Sequence, residues 1–436
     1  MEWWIALLLI LGSLIFLMLL RIPIAFCFLI VNLVAVYLLW GITGPEQLIL
    51  SFGESVARFV FLPIPLFILM GTVIFHSGLA PMIIDAADKW LGRLPGRLSL
   101  LAVTGGTVIA TLSGLSMASV VILGTSLVPE MQKRGYKAPM SLGPLLGSGG
   151  LAIMIPPSSL AVLLGALGEI SVGSILIAII FPGLLMAVLY ASYILIRCTL
   201  QPSIAPIYEV PTMSMAERII PTLRYVLPIA VIIFLVVGVI FLGMATPSEA
   251  AATGAAGTFI LAAIYGKMNW KIIKKAIHDA LEASAMVLMI LVGANAFSQV
   301  LAFSEASSGL VKFATGLPLS PMAMFVFMQL IVVILGMFLE PGSLMMVCIP
   351  LFMPIVRALG INDIWFAVAT LLSIEMGMTT PPIGLNLFVM KGVAPSGTTM
   401  GSIYRAGIPF LGCDVAAMVL ILVFPSLALW LPGLMR

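Results

Sequence analysis

The sequence predicts an all-α polytopic membrane protein of two inverted repeats, each holding a re-entrant helical hairpin and a discontinuous helix. Three observations carry this. The 436 residues are 62% hydrophobic and 8% charged, with a mean hydropathy of +1.24, whereas soluble domains are roughly 45–50% apolar and about 25% charged. A Pro-Pro pair interrupts an apolar, helix-length run twice, at Ile155-Pro156-Pro157-Ser158 and at Thr380-Pro381-Pro382-Ile383. Finally, Pro129, Gly135, Pro156, Pro157 and Ser171 recur at a constant offset of 225 as Pro354, Gly360, Pro381, Pro382 and Ser396.

Taken in order, residues 3–20 and 22–40 are two spans broken at Arg21-Ile22-Pro23. Met1-Glu2-Trp3-Trp4 lacks a basic n-region, so the first span is expected to stay uncleaved with both Trp at the interface. Residues 43–59, with Glu46, Glu54 and Arg58, are too polar to span and read as an interfacial helix. A crossing over 61–75 follows. Residues 99–136 exceed one span and carry basic residues at both ends (Arg93 and Arg97; Lys133, Arg134 and Lys137), which predicts a hairpin that turns near Ser113-Gly114-Leu115-Ser116 and leaves on its side of entry.

The first broken span covers 140–167, and 174–196 returns to Arg197. The polar stretch 198–224 is a connector, followed by spans over 226–242 and 249–265 and an amphipathic helix marked by Lys267, Lys271, Lys274 and Lys275. The pattern then repeats: a span over 284–303, a hairpin over 320–359 turning near Glu340-Pro341-Gly342-Ser343, a broken span over 364–390 and a last span over 408–429. The resulting units are 1–60 (scaffold spans and interfacial helix), 61–197 (first repeat), 198–283 (connector, two scaffold spans, amphipathic helix) and 284–436 (second repeat). Sixteen of the 20 Lys and Arg then lie inside and Arg58, Lys312, Arg357 and Arg436 outside, as the positive-inside rule requires. Five crossings separate equivalent spans, an odd number that inverts the repeats, and inverted repeats with broken helices characterise secondary transporters.

The chemistry available is that of oxygen ligands. A proline removes a backbone donor and frees a carbonyl, and irregular backbone at membrane depth is tolerated where it is buried in protein or lines a cavity. The tip hydroxyls of Ser113 and Ser116 with the carbonyls of the Gly149–Pro156 break could make a hard-cation site suited to Na⁺; the same Ser and Gly could simply let helices pack closely. Gly377, Thr379, Thr380 and Pro381 are the symmetric candidates, and Ser116, Ser158 and Asn386 are candidate substrate ligands, with Asn386 equally able to bond a neighbouring helix. Glu340, Glu375 and Asp414 are intramembrane carboxylates, costly and hence functional candidates; Glu340 could instead cap a helix, and Glu375 and Asp414 could serve packing or a partner contact. His76 and His278 stand isolated, Cys27, Cys198, Cys348 and Cys413 have no metal or disulfide spacing, and no phosphate-binding loop ends in Gly-Lys-Ser/Thr. An enzyme, ATP-driven transport and a nucleic-acid partner are therefore not expected. An ion channel and a proton-coupled anion transporter stay open.

The pairs Ser113-Gly114 and Gly135-Tyr136, the Ile155-Pro156-Pro157-Ser158 break and the run Thr380-Pro381-Pro382-Ile383-Gly384-Leu385-Asn386-Leu387-Phe388-Val389 resemble the large membrane subunit of tripartite ATP-independent periplasmic (TRAP) transporters, over essentially the whole chain. The resemblance implies an elevator-type ion-transporter fold in the bacterial inner membrane with both termini periplasmic. It implies Na⁺-coupled import of a small organic anion, a carboxylate or sulfonate, delivered by a periplasmic substrate-binding protein. A small four-helix membrane subunit would buttress the scaffold among membrane lipid; fused members carry it at the N-terminus, and here the chain is expected to start directly with the large subunit. The family's Na⁺ sites map onto Ser113, Ser116, Gly149, Ile153 and Pro156, and onto Gly377, Thr379, Thr380 and Pro381.

Overall fold

A computed structural model describes residues 2–113, 116–208 and 213–435; the side chains of residues 80 and 109–118 are outside that description, as are Gly114 and Leu115 of the first expected hairpin tip. All regular structure among the described residues is helical. Among the described residues, seven helices are long and apolar enough to cross a bilayer, eight if one bent pair counts as a single span.

The chain opens with α1 (Trp3–Leu19) and α2 (Ile24–Trp40), separated where Pro23 caps α2. The amphipathic α3 (Gly44–Val56) lies over α2, and α4 (Pro63–Ser77) and α5 (Leu79–Leu91) complete the first group. Next come α6 (Arg97–Ser113) and α7 (Ser116–Lys133), which pack together; the turn that the sequence expects at Ser113-Gly114-Leu115-Ser116 lies outside the described residues. A short α8 (Ala138–Ser141) leads into α9 (Gly143–Met154), α10 (Ser159–Gly168), α11 (Val172–Ala178) and α12 (Ile180–Leu200).

In the connector, Ser214 and Glu217 form a capping box on α13 (Met215–Pro221); bonds from the Ser214 backbone N–H and hydroxyl hold the Glu217 carboxyl below the usual range. Then follow α14 (Leu227–Phe241), α15 (Pro247–Ile264), α16 (Trp270–Phe303) and α17 (Ala306–Gly316). The last group is α18 (Pro321–Gly336), α19 (Pro341–Ala358), α20 (Asp363–Thr379), α21 (Leu385–Val393), α22 (Met400–Val423) and α23 (Ser426–Leu429).

Three boundaries differ from the sequence reading. The amphipathic lysine segment and the span over 284–303 are one 34-residue helix, α16, because no Gly or Pro interrupts residues 270–292 and the charge of Asp279 meets His76 of α4 at 2.6 Å. His76 is thus not isolated. The last span starts at Met400, with Thr399 as N-cap, and stops at Val423 before Pro425. The second hairpin turns over 337–340, so Pro341, Gly342 and Ser343 already form the first turn of α19.

Small residues decide how the elements meet. In the N-terminal group, a Cβ on Gly293 of α16 would sit 2.8 Å from the Phe28 Cβ of α2, and beside it Asn32 donates to the Gly293 carbonyl at 2.7 Å. The two helical pairs insert reciprocally: α6 and α7 pack against α9 while α7 also meets α21, and α18 and α19 pack against α20 while α19 also meets α10. Each pair is therefore wedged between one half of its own repeat's broken helix and the opposite half of the other's.

Candidate functional site

In the first repeat, α9 is buried along its length. Its Gly147-Ser148-Gly149-Gly150 run admits α6 so closely that a Cβ on Gly106 would lie 2.3 Å from the Ser148 Cβ. The helix stops at Met154 because Pro156 and Pro157 have no N–H to return to the carbonyls of Ala152 and Ile153. Ile155 is extended, the Pro156-Pro157 peptide is cis, and the chain restarts at Ser158, whose hydroxyl accepts from the Ala161 N–H at 3.3 Å as the N-cap of α10. The halves meet at a bend of 45°. Gly149, Ile153, Pro156 and Ser158 are all buried, so this break is closed.

The second break is built alike but stands more open. Thr380 is extended beyond α20, the Pro381-Pro382 peptide is cis, and Pro382 and Ile383 are exposed. Gly384 restarts the chain at φ +46°, a left-handed conformation that favours glycine. Its N–H donates to the Met337 carbonyl at the turn between α18 and α19, at 3.0 Å, and a Cβ there would come within 2.8 Å of the carbonyl oxygens of both Met378 and Thr380. Two carbonyls of the break thus converge beside the second helical pair. The Thr380 hydroxyl donates to the Met376 carbonyl at 2.5 Å, and the Thr379 hydroxyl lies 3.2 Å from those of Glu375 and Met376. With their protons turned inward, both hydroxyls present lone pairs. Gly377 carries α20 against α18, where a Cβ would meet the Gly336 Cα at 2.8 Å.

Of the remaining sequence candidates, Ser113 ends α6 and Ser116 begins α7, and their side chains lie outside the described residues. Asn386 is fully buried as the second residue of α21. Glu340 caps α19, accepting from the N–H groups of Gly342 and Ser343, each at 3.0 Å, as the capping alternative expects. Asp414 is buried and accepts a hydrogen bond from the Tyr190 hydroxyl of α12. Glu375 is fully buried, and neither carboxyl oxygen has a hydrogen-bond partner. Both acids are inside the chain, which removes a partner-subunit contact.

Two features escaped sequence reasoning. The first is the pair of converging carbonyls, Met378 and Thr380, because backbone oxygens leave no mark in residue type. The second is a pair of long-range contacts: Glu375 packs on Gly150, its equivalent at the 225 offset, where a Cβ would lie 2.1 Å from Oε1, and Tyr190 meets Asp414. The first separation, 225, repeats the offset of the duplicated prolines, and the second, 224, falls one residue short of it. On the sequence's reading of two inverted repeats, a residue touches its own repeat mate only beside the axis relating the two, which puts that axis between α9 and α20. The offset was legible; that it marked contacts was not.

Comparison with known proteins agrees with this architecture. Residues 11–427 match the family profile described as tripartite ATP-independent periplasmic transporter, DctM component. The chain is 30% identical over 399 residues to the C4-dicarboxylate TRAP transporter large permease protein DctM of Pseudomonas aeruginosa, covering 91% of each. It is 26% identical to the isethionate TRAP transporter permease protein DctMQ of Oleidesulfovibrio alaskensis, over 87% of this chain and 59% of that one. Among solved structures it superposes on the Alcanivorax borkumensis YdaH transporter with a TM-score of 0.64 at 16% identity, covering 89% of this chain and 90% of the other, a likeness of fold alone. With a profile match across nearly its whole length and 30% identity to a relative covered to 91%, the chain belongs to the TRAP transporter family as its large membrane subunit.

Proposed function

We propose that the chain is the permease of a Na⁺-coupled, binding-protein-dependent importer of a small organic anion, working by an elevator movement of the unit that holds the two breaks. The observation that carries this reading is the convergence of the Met378 and Thr380 carbonyls beside the hydroxyls of Thr379 and Thr380. Uncharged oxygens on a fixed backbone suit a hard monovalent cation better than a soft metal. Gly377, Thr379, Thr380 and Pro381 would hold it in the second repeat, and Ser113, Ser116, Gly149, Ile153 and Pro156 in the first. Bound Na⁺ would supply positive charge next to the anion.

The substrate ligands proposed are Ser116, Ser158 and Asn386. Ser158 caps α10 and Asn386 sits in the first turn of α21, so both half-helices direct their N-termini, with their partial positive charge, into the breaks. That polarity favours a carboxylate or sulfonate. Relatives named for C4-dicarboxylate, isethionate and ectoine bracket the range of solutes. A small membrane subunit and a periplasmic binding protein are the proposed partners, and the relative named DctMQ supports the former.

The test is uptake of labelled substrate into proteoliposomes holding this chain, its small subunit and the binding protein. Uptake is expected only with an inward Na⁺ gradient, and Ser113→Ala and Thr380→Ala are each expected to raise the Na⁺ concentration for half-maximal rate. Unchanged uptake with K⁺ in place of Na⁺ at constant pH refutes the coupling. A flux that neither saturates nor needs the binding protein points to a channel.

A further inference from the structure

The lysine-rich end of α16 is a surface with an unfilled electrostatic demand. At 1.5 Å per residue its 34 residues run about 51 Å, well beyond the ~30 Å of a hydrocarbon core. The surplus is at the N-terminal end. There Trp270, Ile277 and Leu281 are exposed, at 78%, 40% and 64%. At about 100° per residue these three fall within roughly 40° of one another, a narrow apolar stripe. Lys274, Lys271 and Lys275 follow on one flank over the next ~100° or so, and Lys267 precedes the helix.

The other flank is taken. Ala276 packs with Val73 of α4 and Ala262 of α15, its carbonyl accepts from the Thr72 hydroxyl at 3.1 Å, and Asp279 is held by His76. The segment's acids are Asp279 and Glu282. Asp279 is spent on His76, and among the described residues none of the four lysines has a carboxylate within ion-pair distance. An exposed Trp and aliphatic stripe beside uncompensated lysines is the arrangement of a helix end at a membrane interface, apolar side toward the acyl region and lysines at headgroup depth.

We propose that the 267–282 segment binds anionic phospholipid headgroups, with Lys267, Lys271, Lys274 and Lys275 as the ligands and Trp270 as the interfacial anchor. Charge complementarity selects the occupant: a polybasic segment gains from each lysine near an anionic surface, and a zwitterionic headgroup offers no net charge to meet. The contacts to α4 fix the segment's orientation, so the stripe and the lysines reach the lipid together.

The test uses the full chain in phosphatidylcholine vesicles doped with the same small fraction of either brominated phosphatidylglycerol or brominated phosphatidylcholine. The Trp270 signal is the difference between wild type and Trp270→Phe. Stronger quenching by the brominated anionic lipid is expected, and its advantage is expected to fall at least about fivefold in Lys271→Gln/Lys274→Gln, from roughly 1 kcal/mol per lysine, and to shrink in molar salt as screening tightens. Quenching by brominated phosphatidylcholine should persist in the lysine variant, showing that the segment still lies at the interface. Equal quenching by the two lipids, or a preference that survives loss of both lysines, overturns the proposal. So does a Trp270 signal that becomes inaccessible to both lipids once the small membrane subunit is present, because the surface is then a protein contact.

Discussion

Gly150→Ala probes the repeat axis directly. The added Cβ would lie 2.1 Å from Oε1, 2.2 Å from Cδ and 2.5 Å from Cγ of Glu375, where carbon contacts settle at about 3.5–4.0 Å. Glu375 is fully buried, so its carboxyl cannot swing into solvent to make room. Forcing one methyl into a closed interior costs about 1–3 kcal/mol. Because the clash is with one side chain, Glu375→Ala in the same chain should remove it, with a coupling energy between the two sites of about 0.5–3 kcal/mol. Melting of the wild type, both single variants and the double variant, purified in one lipid–detergent mixture, reads that coupling. Additive losses, or a Gly150→Ala chain as stable as wild type, would refute the contact and with it the placement of the axis between α9 and α20.

Other variants test neighbouring statements. Tyr190→Phe takes the donor from buried Asp414 and is expected to cost about 1–3 kcal/mol, with Asp414→Asn in that background recovering part of the loss in the same melts. Gly384→Ala places a side chain at φ +46° and is expected to lose about 1–2 kcal/mol from the backbone alone; an unchanged melting temperature would show that the left-handed turn is not needed. Glu340→Ala removes the cap of α19, for about 0.5–2 kcal/mol, and amide exchange should rise at Gly342 and Ser343 but not at the far end of that helix. Gly377→Ala meets the Gly336 backbone at 2.8 Å, which no rotamer relieves, so it should be less stable than wild type and show no rescue by trimming Val333, because only the Val333 carbonyl is near.

Much of the architecture was legible because the membrane restricts the choices. Where every backbone group must be satisfied within the protein, apolar runs must be helices, and a Pro-Pro pair inside one must be a break. The interruptions at 155–158 and 380–384 are therefore direct readings of residue type. Boundaries set by partners rather than by breakers were not legible. The lysine segment and the span after it form one helix, α16, with no Gly or Pro over 270–292 to divide them, and the pairing of Asp279 with His76 some two hundred residues away has no local signal.

By itself, the sequence determined that this protein is a helical membrane protein with two proline-broken helices, since composition and the two Pro-Pro pairs are properties of the chain, and its constant 225-residue offset pointed to a duplication. Only the tertiary structure decided what the duplication does. It turned the carbonyls of Met378 and Thr380 toward each other beside Gly384, set Glu375 on Gly150, bonded Tyr190 to Asp414, and made Glu340 a cap. Such facts depend on where backbone oxygens point and on which helices interleave, quantities fixed by close packing of small residues across long sequence separations.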